Sequence, residues 1–159
     1  MGVSIILYRV PKSEKIDDLI DIDNQIALGK HTSVNLYKIT GDLAVIFLNT
    51  IEPYDDPDTL PYKMLYGILE YKSVSVGEVG GFLPYSEVQE IVEWIRKNEI
   101  ETLDGFSKIY DDLSEEVKLE LNAIGTDDKI PLFKGYVKPL TDFYFAALES
   151  ESSILFVGQ

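Results

Sequence analysis

The chain opens and closes on apolar segments of strand character, and that symmetry constrains its fold more than any other feature. Val3 to Val10 is apolar at nearly every position and rich in β-branched residues, the pattern of a largely buried strand. Pro11 ends it, since proline brings no backbone donor to a ladder. Ile154-Leu155-Phe156-Val157 supplies a matching run near the other end. Between the two, apolar spacing is mostly helical. Two such strands with helices between them are expected to share one small sheet. That predicts a helix-rich α+β fold in a single domain over residues 1–159.

The intervening segments carry their own punctuation. Ser13 is expected to cap a short helix buried through Ile16, Leu19 and Ile20, with Asp17, Asp18, Asp21 and Asp23 off that stripe. From Leu60, two stripes run together: Tyr62, Leu65, Tyr66 and Leu69, then Met64, Ile68 and Tyr71. A helix apolar on two faces is either central or leaves an aromatic edge for a partner or a second copy. Ser73 to Gly81 is expected to be a loop or short strand ending in Gly80-Gly81. Ser86-x-x-Gln89 matches a capping box ahead of the stripe Val88, Ile91, Val92 and Ile95, with Asn98 as the stop.

Further on, Ser114 caps a helix with Glu115 and Glu116 in its first turn, apolar through Leu113, Val117, Leu121 and Ile124, and closed by Gly125. Pro139 suits the start of a last helix buried through Leu140, Phe143, Tyr144, Ala147 and Leu148. Five or more helices are expected in all. Thr32 to Thr50 is ambiguous. Val34 to Ile39 fits either period and is read as helix, with Thr40-Gly41 as its stop. Leu43 to Leu48 is too uniform to assign.

The order of these pieces resembles the YfbM-like family, a bacterial domain of unknown function. The resemblance covers most of the chain. It rests on Met1-Gly2 before a strand and short helix, on Thr40-Gly41, and on Leu65-Tyr66-Gly67 after Pro61. Gly80-Gly81 with Leu83-Pro84 and Glu87-Val88, then Leu140 through Ala147 leading into Ile154–Val157, complete it. The chain departs from the family at Thr32-Ser33-Val34-Asn35-Leu36, where a Leu-His pair is usual, and His31 is out of register with it. The resemblance implies the fold; it implies no activity.

Composition then removes chemistry. There is no cysteine and one histidine, His31, so thiolate nucleophiles and thiolate metal sites are excluded, and a serine–histidine site would have to use that one ring. His31 follows Gly29-Lys30 with no nucleophile motif beside it, and is read as an ordinary surface residue. Asp21-x-Asp23 fails as a calcium loop, because Ile26 and Thr32 occupy the positions that need glycine and glutamate. Asp56-Pro57-Asp58 reads as a solvated turn. Gly77-Glu78-Val79-Gly80-Gly81 lacks the Lys-Ser/Thr pair of a phosphate loop and is read as a turn. No metal and no cofactor is expected.

Charge bears on partners. The 28 acidic residues outnumber 14 Lys and Arg for a net charge of −14, which disfavours nucleic acid. No basic n-region precedes the first strand, and no apolar run approaches the ~20 residues of a membrane span. A cytoplasmic protein is expected, either monomer or homodimer, binding neither nucleic acid nor membrane. Glu52, Tyr54, Asp55, Asp56, Asp58, Tyr62 and Tyr66 place aromatic rings beside carboxylates in the middle third, with Tyr71 and Tyr85 near them in sequence. That combination suits an interface for a basic protein; half-buried core tyrosines are the ordinary alternative.

The leading expectation is therefore a non-catalytic binding protein, in its sharpest form an acidic immunity-type protein neutralising a basic toxin or effector. The alternative is a small-molecule binder or hydrolase-like enzyme working through a carboxylate and tyrosine cleft.

Overall fold

The terminal strands pair with each other at the centre of one antiparallel sheet. The structure, a computed structural model, describes residues 4–13, 33–68 and 79–158. Strand β1 (Ile5–Pro11) and strand β2 (Ser33–Tyr37) are followed by helix α1 (Thr40–Leu48) and helix α2 (Leu60–Tyr66). Strand β3 (Val79–Leu83) precedes α3 (Tyr85–Asn98), α4 (Leu103–Asp111) and α5 (Glu115–Ala123). The short α6 (Lys129–Leu132) runs through a π-helical turn, Phe133–Val137, into α7 (Lys138–Glu149), and β4 (Ser152–Gly158) closes the order. The sheet order is β2-β1-β4-β3. The expected helix-rich α+β fold and the shared sheet of the two end strands are both present.

Registers Ile5↔Gly158 through Pro11↔Ser152 put β1 flush against β4. Side chains alternate across the pleat. Ile5, Leu7, Ile154 and Phe156 join the main core under the helices. Tyr8, Val10, Phe82, Leu155 and Val157 form a second buried cluster. All seven residues of β4 are buried, which explains why its sequence reads as one apolar run rather than an alternation.

Helices α3 and α7 pack against each other and against β4, with α1 and α2 beside them. The stripe Val88, Ile91, Val92 and Ile95 is buried as expected; each such side chain contributes about 1.5–3 kcal/mol on leaving water. Ser114 accepts from the Val117 amide at 3.3 Å and caps α5. At the other end, Thr126 N–H bonds Leu121 O and Gly125 N–H bonds Asn122 O, closing the helix with Gly125 at φ +77°. Ile124, expected on the buried stripe, is 47% exposed because it lies past the last turn. The π turn before α7 has a local cause. Pro139 has no N–H to offer, and Lys138 N–H reaches back five residues to Phe133 O.

Several local readings are corrected. Val34 to Tyr37 is strand, not helix: tertiary pairing with β1 decides a segment whose periodicity was neutral. Asn35 supports it at a register irregularity, its Oδ1 accepting from Tyr37 N–H at 2.7 Å. Thr40-Gly41 starts α1 rather than stopping anything. The two-faced helix from Leu60 ends at Tyr66. Gly67 turns the chain at φ +68°, and Ile68 exchanges both backbone bonds with Phe82 at 2.9 Å.

Gly80 and Gly81 lie inside β3 rather than in a turn. A Cβ on Gly81 would collide with the Tyr66 carbonyl, so the strand passes α2 only because that position is bare. Helix α3 begins one residue before Ser86, with Pro84 as its N-cap. The Ser13 helix, His31, Asp21-x-Asp23, Leu69, Tyr71, Gly77 and Glu78 lie outside the described residues.

Candidate functional site

Three of the singled-out tyrosines form one surface cluster. Helix α2 places Tyr62 and Tyr66 one turn apart, with ring centroids 4.8 Å apart. The preceding loop bends through a short 3-10 turn, Pro53–Asp55, which lays Tyr54 across Tyr66 at 5.9 Å. The Tyr66 hydroxyl lies 3.5 Å from that of Tyr54. Tyr54 is the outermost ring, 63% exposed, while Tyr62 and Tyr66 are half-buried. The core alternative therefore accounts for half of two rings and none of the third.

The loop is built by its sequence. Thr59 caps α2, its Oγ1 accepting from Tyr62 N–H at 3.4 Å while donating to Asp56 O at 2.9 Å. Pro61 in the first turn costs no hydrogen bond there. Glu52, Asp55, Asp56 and Asp58 are all exposed in the connection between α1 and α2 that carries Tyr54. Among the described residues, no Lys or Arg pairs with any of the four. Lys63, the nearest cation in sequence, is turned to Glu87 at 3.3 Å. Tyr85 stands apart: it is buried at the start of α3, with its hydroxyl donating to Leu148 O.

Electrostatics follow the geometry. Burial raises the Tyr62 hydroxyl above its ordinary value of 10.0, with Tyr54 adding to the effect. Tyr66 is raised much further, first by burial, then by its bond to Tyr54 and by the nearby Tyr62 and Asp42. Both rings stay neutral hydroxyls at physiological pH and can donate as well as accept. A cleft of about 230 Å³ opens beside Tyr62, between Asp58, Lys63 and Gly67. A wider one of about 510 Å³ runs from Asp58 past Lys63 to Glu93 and Trp94.

The carboxylates lining these clefts, Asp58, Glu90 and Glu93, are exposed. No two of them are pressed together on an apolar background, as split acid and base roles require. Among the described residues no group of His, Asp and Glu is arranged to hold a metal ion, and no helix is long and apolar enough to cross a membrane.

One participant escaped the sequence reading. Asp42, half-buried on α1, acts on Tyr66 and accepts from Thr126 Oγ1 at 2.9 Å. Its only sequence signal is a lone acid in the first turn of an otherwise apolar helix.

No family model and no curated protein matches the chain. Among solved structures it is similar to YfbM from Escherichia coli, a protein of unknown function. The two share 16% identity over 99% of each chain, with a TM-score of 0.54. Likeness at that identity carries the fold and nothing about activity. The chain has the fold of YfbM over nearly its whole described order of strands and helices, in keeping with the YfbM-like resemblance of its sequence.

Proposed function

We propose that the protein is a non-catalytic, cytoplasmic binding protein whose acidic, tyrosine-bearing loop from Glu52 to Tyr66 receives a basic protein partner. In its sharpest form the partner is a basic toxin or effector, and the protein neutralises it as an immunity protein does. One observation carries the reading: Tyr54, 63% exposed, leans on Tyr66, and the connection that carries it holds four exposed carboxylates without a cationic partner among the described residues. Amphipathic rings give contact area at low entropic cost, and the surrounding charge accelerates encounter with an opposite charge.

The test is affinity capture from native lysate at low and moderate salt, with wild type and an Asp55→Asn, Asp56→Asn, Asp58→Asn triple variant as baits. The reading expects a basic protein that is retained at low salt, weakened by added salt and lost from the variant. No retained protein, or one held equally by both baits, would overturn it.

A further inference from the structure

We propose that the cleft where the end of β1 meets the start of β4 binds a carboxylate group through the Arg9 guanidinium. This anion site shares no residue with the Glu52–Tyr66 loop and stands independently of the function proposed for it.

Arg9 is the only charged residue in the apolar run from Val3 to Val10. By strand alternation it shares a face of β1 with Ile5 and Leu7, which belong to the main core. The strand therefore carries a guanidinium to the edge of that core, where α7 ends. Its Nη1 donates to Ala146 O at 3.3 Å and to Ser150 Oγ at 3.2 Å, a favourable place for a cation at a helix C-terminus. Those two bonds use both Nη1 hydrogens. The Nε and Nη2 edge of the fork has no acceptor among the described residues, and Nε is buried without one. A buried donor lacking a partner is costly, and this edge of a guanidinium matches the two oxygens of a carboxylate.

Arg9 differs in this from the other half-buried cations among the described residues. Lys63, Lys118 and Lys129 each hold a carboxylate, that of Glu87, Glu115 and Asp111 respectively. Arg9 is half-buried and pairs with no Asp or Glu among the described residues, in a chain that has 28 of them. A charge withdrawn from water and left without a counter-charge is expensive, and an anion supplied from outside removes that expense.

The cleft holds about 410 Å³, and Arg9 lines it together with Lys12, Ser150, Glu151 and Ser152. Its other two charges offset each other. Lys12 Nζ lies 3.8 Å from the exposed Glu151 carboxylate and 5.0 Å over the Tyr85 ring. The positive charge of Arg9 is left over, which suits a monoanionic carboxylate better than a dianionic phosphate. The net charge of −14 repels anions at long range, so recognition here acts by contact, within a Debye length of about 8 Å at physiological salt.

The experiment is a chemical-shift titration of the full isotope-labelled chain at physiological ionic strength. Its probes are acetate, an N-acetylated alanine peptide with a free C-terminus, the same peptide as its amide, and inorganic phosphate. The proposal expects saturable shifts at Arg9, Lys12 and Ser150 with acetate and the free-acid peptide, and none with the amide. Equal affinities would assign the site to small acids, and a peptide about tenfold tighter than acetate would assign it to a chain terminus. Glu151→Gln removes the competing carboxylate and frees Lys12, so it should tighten acetate binding about threefold. Glu120→Gln, an exposed change of equal charge on α5, should leave it unaltered. Arg9→Lys keeps the charge but not the planar fork and should weaken binding about tenfold, with unchanged shifts elsewhere verifying its fold. No saturable shift, equal shifts with the amide, phosphate binding tighter than acetate, or no gain in Glu151→Gln would each overturn the proposal.

Discussion

The Tyr144 hydroxyl donates to the Met64 carbonyl oxygen at 2.7 Å, a fully buried bond between residues 80 positions apart. It resolves a problem created by the short length of α2. Met64 lies in the last turn, where carbonyls have no intrahelical donor. Ile68 N–H, which a longer helix would have supplied, goes to Phe82 O instead. Tyr144 reaches across from α7 to fill the vacancy. Tyr144→Phe keeps the ring and leaves the carbonyl unsatisfied, so it should cost about 1–3 kcal/mol in urea denaturation. A loss below about 0.5 kcal/mol would show that the bond is replaced, and that it does not tie α7 to α2.

Gly67 permits the turn that makes α2 short. Its φ is +68°, and a Cβ there would stand 2.6 Å from the Phe156 ring on the central strand. Gly67→Ala therefore meets two penalties, a backbone conformation (φ 68°, ψ −161°) that is essentially reserved for glycine, and overpacking, together about 2–5 kcal/mol. Gly125 separates them, because it has φ +77° and nothing within 4 Å of an added Cβ. Gly125→Ala should cost no more than an ordinary positive-φ penalty, about 1 kcal/mol. Equal losses in thermal unfolding would contradict the crowding argument.

What could be read from the sequence was what local chemistry decides. Ser114, Gly125 and the Val88–Ile95 stripe act where their residue types say they should, because caps and amphipathic faces are properties of one segment. The pairing of the two end strands was also legible, since apolar runs must be buried and each needs a neighbour. Val34–Tyr37 was misread because its periodicity is neutral and β1, far away in sequence, decides it. The sequence reading carries the Leu60 helix through Ile68, past its end at Tyr66, because Gly67 is a stop only in the light of Phe156 and Phe82. Sequence brought Tyr54, Tyr62 and Tyr66 under suspicion together, and the structure brings them into contact. Asp42 and Thr126 were invisible as a pair, being joined by a hydrogen bond between segments that sequence spacing does not relate.

Alkaline pH should unfold the protein by titrating these rings. Burial raises the hydroxyls of Tyr8, Tyr62, Tyr66, Tyr110 and Tyr144 above the ordinary value of 10.0. A raised folded-state value means that the native protein holds protons that the unfolded chain has released. The resulting stabilisation is complete below pH 10.0 and is lost as pH rises beyond it. Tyrosinate absorbance should show these rings ionising late and together with loss of helical circular dichroism. Smooth, independent ionisation with the helices intact would contradict it.

The acidic loop and its rings should act on different rate constants. Asp55, Asp56 and Asp58 are exposed and contribute little to folding. Replacing all three with Asn should slow association with the captured partner, flatten its salt dependence and leave the melting temperature nearly unchanged. Tyr54 offers a ring that is 63% exposed, so Tyr54→Ala should chiefly speed dissociation, by about thirtyfold if the ring is an anchor worth about 2 kcal/mol. Tyr66→Ala is the contrasting case. Half its ring is buried under Tyr54 and Tyr62, and truncating it should lower stability as well as complex lifetime. Surface plasmon resonance and thermal denaturation on the same variants separate the two effects. Loss of stability in both tyrosine variants with unchanged dissociation would make these rings core residues and overturn the proposed interface.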